Sequence, residues 1–140
     1  MKKLFWITII LLLAGLINCV YITVETAQGG GIGCYVVEGC DRVLTSPYAS
    51  IFGISVSIFG IAYYLLGIVF LLLARQTDSL KRIFFWYICL GIAISLVFIY
   101  IQAFVLRAFC SSCLLSALLV FVIGISAFFM QKHKNAILTP

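Results

Sequence analysis

Four stretches of this chain, Leu4–Val24, Ile51–Leu73, Ile83–Val105 and Leu114–Met130, contain no charged side chain. Crossing a hydrocarbon core of roughly 30 Å takes about 20 helical residues. The first three runs reach that length as they stand, and the last does so when it begins near Cys110. With 65% hydrophobic and only 9% charged residues, the chain has too little polar surface to cover a water-soluble globule. A membrane barrel is excluded because its strands alternate apolar and polar residues, whereas these runs are apolar on every face. The expectation is a single domain over residues 1–140, an all-α integral membrane protein folded as a four-transmembrane-helix bundle. Its helices are expected near 4–24, 51–73, 83–105 and 110–130.

Orientation follows from the basic residues. Lys2, Lys3, Arg75, Lys81, Arg82, Lys132 and Lys134 fall at the two ends and in the middle connection, which share one side of a four-span chain. The other side holds Arg42 and Arg107 with Glu25, Glu38 and Asp41. The positive-inside tendency then makes both termini cytoplasmic and puts the long loop between helices 1 and 2 outside. The net charge of +5 is accounted for by topology and anionic headgroups, so no nucleic-acid partner is implied. Lys2-Lys3 and Asn18-Cys19 loosely imitate a lipoprotein leader. Asn18 is a poor residue at such a cleavage site, and the apolar run continues past Cys19, so the first span is expected to stay.

Gly53, Gly60 and Gly67 recur at seven-residue intervals, a spacing that keeps them on one side of the second helix. Close helix packing is the expected use. The connection over Ala74–Arg82 reads as a short, basic turn between antiparallel neighbours. Gln28 to Gly33 lacks side-chain bulk, and Thr45-Ser46-Pro47 marks a turn before the second span.

The chemistry lies in the cysteines. Cys110-Ser-Ser-Cys113 opens the last helix, so its two sulfurs share a face at disulfide range. Unsatisfied N–H groups at a helix start and the nearby Arg107 favour the nucleophilic thiolate. Cys34 and Cys40 lie in the outer loop, on the oxidising side where disulfides persist. Two pairs on one side permit relay by thiol–disulfide exchange through a mixed disulfide. A structural staple at Cys34/Cys40 and metal ligation at the CxxC are the competing uses. The lone histidine, His133, falls on the opposite side of the membrane by this topology. Cys19 and Cys89, inside spans, read as small apolar side chains. Electrons gathered at an interface need a lipid-soluble acceptor, for which a quinone is suited. Aromatic residues at hand include Phe52, Phe59, Tyr63, Tyr100, Phe104 and Phe109, although any membrane interface is rich in them.

Paired loop cysteines, Ser46 six residues after Cys40, the segment Ser57-Ile58-Phe59-Gly60 and a CxxC opening the last helix together resemble the vitamin K epoxide reductase family, in its small prokaryotic form. The likeness runs over nearly the whole chain. It implies a four-helix bundle around a quinone of the ubiquinone, menaquinone or phylloquinone type, in a multi-pass cell-membrane protein. By the same resemblance Cys110 and Cys113 are the active-site pair and Cys34 and Cys40 the shuttle pair. Cys34 would meet a separate thioredoxin-like or DsbA-like partner on the outer side, Cys40 would exchange with Cys110, and Cys113 would face the quinone. Ser46 and Phe59 join Cys113 as candidate quinone contacts. Where vertebrate members carry an Asn and a Tyr for the quinone oxygens, the matching positions here are Val56 and Ala117. Oxidation of partner thiols is therefore the expected activity rather than epoxide reduction. The competing class is a non-catalytic membrane protein whose cysteines ligate metal or staple loops.

Overall fold

The structure, a computed structural model, describes residues 2–27, 50–51, 53–105, 107 and 111–132. Four helices account for nearly all of them: α1 (Lys2–Ala27), α2 (Val56–Leu73), α3 (Asp78–Tyr100) and α4 (Ser111–Lys132). A π-helical turn, Ile101–Val105, extends α3. Each helix is long and apolar enough to cross a membrane, over Lys2–Val24, Val56–Leu73, Asp78–Val105 and Ser111–Lys132. The four-span expectation therefore matches the architecture.

The helices form a ring in which each packs on its neighbours in sequence, and α4 closes back on α1. Leu12, Tyr64, Leu71, Phe84, Ile88 and Ile123 fill the interior with almost no accessible surface. The outer surface is apolar too: Ile17, Trp86 and Phe104 are 68%, 67% and 69% exposed. Such an exterior suits lipid, which also explains how the helices cohere. Lipid is as apolar as leucine, so association in a bilayer relies on close approach and hydrogen bonds rather than on hydrophobic burial.

Glycines provide that approach between α1 and α2. A Cβ on Gly60 would lie 2.7 Å from the Cys19 sulfur, and one on Gly67 would lie 3.1 Å from Leu12 Cδ2. On the facing helix, Gly15 gives up its side-chain space to the Tyr64 ring. These pairings run in opposite directions along the two chains, so α1 and α2 are antiparallel. The seven-residue glycine spacing thus marks a helix seam at Gly60 and Gly67. Gly53 departs from it. With φ of +79° it occupies the turn between two short antiparallel strands, β1 (Ser50–Ile51) and β2 (Ile54–Ser55), in which Ser50 pairs with Ser55 and Ile51 with Ile54.

That hairpin corrects the expected start of the second span from Ile51 to Val56. A short apolar run does not by itself distinguish strand from helix, and Gly53 takes the left-handed conformation a tight hairpin requires. The 18 residues of α2 still reach about 27 Å. The third helix differs in the other direction, beginning at Asp78 rather than Ile83. Thr77 is extended (φ −148°, ψ 137°) at the N-cap position, and Asp78 puts its charge at the positive end of the helix dipole. Lys81 Nζ donates to Asp78 Oδ1 at 2.8 Å, one turn apart. Residues taken as a basic connection therefore form the first turn of α3, leaving only Ala74–Thr77 as the link.

Antiparallel order gathers Lys2, Lys3, Arg75, Lys81, Arg82 and Lys132 at one end of the bundle. Arg75 lies 5.0 Å above the Phe5 ring there, joining the α2–α3 link to the start of α1. The other end holds the beginnings of α2 and α4 and exposed Arg107, which has a left-handed φ of 49°.

Candidate functional site

Cys113 occupies the first turn of α4 and is half-buried, with Ser112 beside it buried. N–H groups in a first helical turn lack partners within the helix, which makes this a favourable position for developing negative charge. Its depth is set by α1. The Asn18 side-chain amide donates to the Ser112 carbonyl oxygen at 2.9 Å. Asn18 lies six residues before the Val24 end of the first span, about 9 Å along a helix axis. The turn that carries Cys113 is therefore sunk well below the end of α1, at a level where neighbouring side chains face lipid.

One turn deeper, three helices meet at Ser116. Tyr64, from α2, reaches through the interior so that its hydroxyl lies 2.9 Å from Ser116 Oγ and donates to the Ser116 carbonyl at 3.2 Å. The Cys19 side chain on α1 lies near the same Ser116 side chain. Tyr64 is only 1% exposed and fits because Gly15 leaves room for its ring. An apolar bundle thus contains a small polar cluster directly beneath Cys113, with buried Ala117 as its next neighbour on α4.

A second aromatic group stands between α2 and α3. Tyr63 and Tyr87 stack at 4.7 Å between centroids, and the Tyr87 hydroxyl donates to the Tyr63 carbonyl at 2.6 Å. Gly91 leaves space for the Tyr63 hydroxyl, which is buried with no hydrogen-bond partner among the described residues. Gln102, in the π-helical turn, is also buried. Single π-turns within helices recur at functional sites.

Of the residues singled out from sequence, Cys34, Cys40, Ser46 and Cys110 lie outside the described residues, as do Phe52, Phe109 and His133. Cys110 directly precedes Ser111, the first residue of α4. Phe59 is on α2 with its ring 45% exposed toward the outside of the bundle, and Tyr100 and Phe104 also face outward. Tyr63 turns inward to stack on Tyr87. Val56 opens α2, and Ser57 beside it is buried at the same end as Cys113. Cys19 and Cys89 are free thiols within their helices.

Asn18, Tyr64, Ser116 and Gln102 were not marked by motif spacing. A different signal was present: an amide or hydroxyl within a lipid-spanning run is costly to bury and tends to be used. The hydroxyls of Thr8, Thr23 and Ser126 are satisfied locally, each donating to the carbonyl four residues earlier at 2.8, 2.8 and 3.2 Å. Asn18 and Tyr64 instead reach other helices.

Compared with known families, the sequence matches the family model described as Vitamin K epoxide reductase family over residues 6–128, from the first turns of α1 to near the end of α4. No curated protein matches it.

Proposed function

Because the chain belongs to the vitamin K epoxide reductase family, we propose that it is a quinone-linked thiol oxidase that supports disulfide formation in exported proteins. A reduced thioredoxin-like partner gives two electrons to the Cys34/Cys40 pair, which passes them to Cys110/Cys113 by thiol–disulfide exchange. Two thiols at the CxxC then close to a disulfide, and their two electrons and two protons convert a membrane quinone to quinol. The basic end of the bundle faces the cytoplasm and the cysteine-bearing end faces outward, in a prokaryotic cell membrane.

The observation that supports this reading most is the depth of Cys113. Held about 9 Å inside the Val24 end of the first span by the Asn18–Ser112 bond, it stands within reach of an acceptor dissolved in lipid. The surrounding groups suit a quinone: Tyr64 and Ser116 bring hydroxyls into an apolar setting beneath the thiol. With the Tyr64 hydroxyl donating to Ser116, the Ser116 hydroxyl can donate to a carbonyl oxygen, and burial strengthens such a bond.

The test uses two donors. Cys34→Ala is expected to lose turnover with the protein partner while dithiothreitol still drives quinone reduction through Cys110 and Cys113. Cys110→Ala is expected to stop both. Equal rates in wild type and Cys34→Ala with the protein donor would remove the shuttle pair from the mechanism, and an active Cys110→Ala would remove the CxxC.

A further inference from the structure

We infer that Asn18 is a positioning residue for the Cys113 thiol, fixing the first turn of α4 against α1 through its hydrogen bond to the Ser112 carbonyl. The inference rests on the redox reading of the CxxC given above. Its force comes from which oxygen is bound. The Ser112 carbonyl and the Cys113 N–H belong to one planar peptide unit, so holding that oxygen restrains the plane from which the Cys113 Cα–Cβ bond leaves. A carbonyl oxygen has two lone pairs. It can accept from within its own helix and from Asn18 together.

First helical turns have few internal bonds and open easily. Here the turn around Cys113 is secured on both sides: at Ser112 by Asn18 of α1, and at Ser116 by Tyr64 of α2. Disulfide formation tolerates only a narrow range of sulfur separations and torsions, so a turn that holds one sulfur still favours closure of the pair. The choice of residue points the same way. Asn18 is part of a lipid-spanning run where an unbonded amide is costly, and its donor is directed to a helix 94 residues away in sequence rather than, as with Thr8 and Thr23, to its own backbone.

The experiment compares wild type, Asn18→Leu and Asn18→Gln as the purified full chain in membranes, equilibrated against glutathione redox buffers and read by alkylation of Cys110 and Cys113. Asn18→Leu is expected to lower the equilibrium constant for the Cys110–Cys113 disulfide by about threefold to tenfold, tenfold being about 30 mV for this two-electron couple. It is also expected to lower kcat for quinone reduction with KM for quinone unchanged. Asn18→Gln, which keeps a donor, is expected to recover both. If Asn18→Leu does not fold, Asn18→Ala, which adds no bulk, carries the same comparison. An unchanged equilibrium constant in the folded variant would overturn the inference while leaving the redox reading intact. A wild-type protein that forms no Cys110–Cys113 disulfide would overturn both.

Discussion

At the basic end of the bundle Arg75 lies over the Phe5 ring and Lys81 pairs with Asp78 on its own helix, while Phe5, Leu71, Phe84 and Met130 pack between helices. At the cysteine-bearing end, hydrogen bonds from Asn18 and Tyr64 pass from one helix to another and converge on the first two turns of α4. Apolar packing tolerates small slips and volume-conserving exchanges. A hydrogen bond weakens steeply outside a narrow range of distance and angle. Among the described residues, two interhelical hydrogen bonds fall where the proposed chemistry needs two sulfurs in one geometry, and a third, from Tyr87 to the Tyr63 carbonyl, lies nearer the middle of the bundle.

Substitutions at the two ends should separate these roles. The largest effect is expected from Cys113→Ala, which should abolish quinone-dependent oxidation of thiols while the helical content and unfolding midpoint of the protein stay near wild type. Activity that survives would detach the cysteine-bearing end from the chemistry. Next comes Gly15→Ala. A methyl group there would enter the space of the Tyr64 ring, which is fully buried and held at Ser116, so a loss of about 1–3 kcal/mol is expected from overpacking, measured by reversible unfolding in detergent.

Tyr64→Phe keeps the ring and removes the bond to Ser116, and should cost about 0.6 kcal/mol, the average for interhelical hydrogen bonds in membranes. Further toward the basic end, Gly67→Ala would bring a methyl to 3.1 Å from Leu12 Cδ2, the tip of a flexible side chain, and to an ordinary 3.6 Å from Tyr87 Cε1. Its gain of roughly 0.5–1 kcal/mol in helix propensity should offset the shift, leaving stability near wild type. Smallest of all should be Arg82→Gln, because Arg82 is exposed at the basic end and surface substitutions away from core, cap and buried-charge positions stay within about 0.5 kcal/mol. A basic-end substitution that proved more damaging than Gly15→Ala would reverse the comparison.

How much of this was legible in the sequence depended on the kind of force. Lipid-spanning runs follow from composition over about 20 residues, so the four helices and the antiparallel order implied by short links were readable. Boundaries set by single residues were not. Gly53 turns an apolar stretch into a hairpin, and Thr77 with Asp78 starts α3 one turn and more before the charges end. The seven-residue glycine period identified the α1–α2 seam at Gly60 and Gly67, but not its register. That register depends on which side chain meets each gap, Cys19 at one and Leu12 at the other.

At the site, the CxxC showed the position of Cys113, whereas the polar cluster beneath it did not announce itself. Asn18, Cys19, Tyr64 and Ser116 come from three helices, and no local spacing relates them. Asn18 illustrates the difference. In sequence it stands out as an awkward residue before Cys19, and its purpose is visible only when α4 is placed beside α1.

The most direct measurement follows quinone and thiols together in purified wild-type protein supplied with a reduced thioredoxin-like donor. The account predicts one quinol formed for each donor disulfide, with both products lost in Cys113→Ala. Donor oxidation without quinol, or quinol formation that persists in Cys113→Ala, would contradict it.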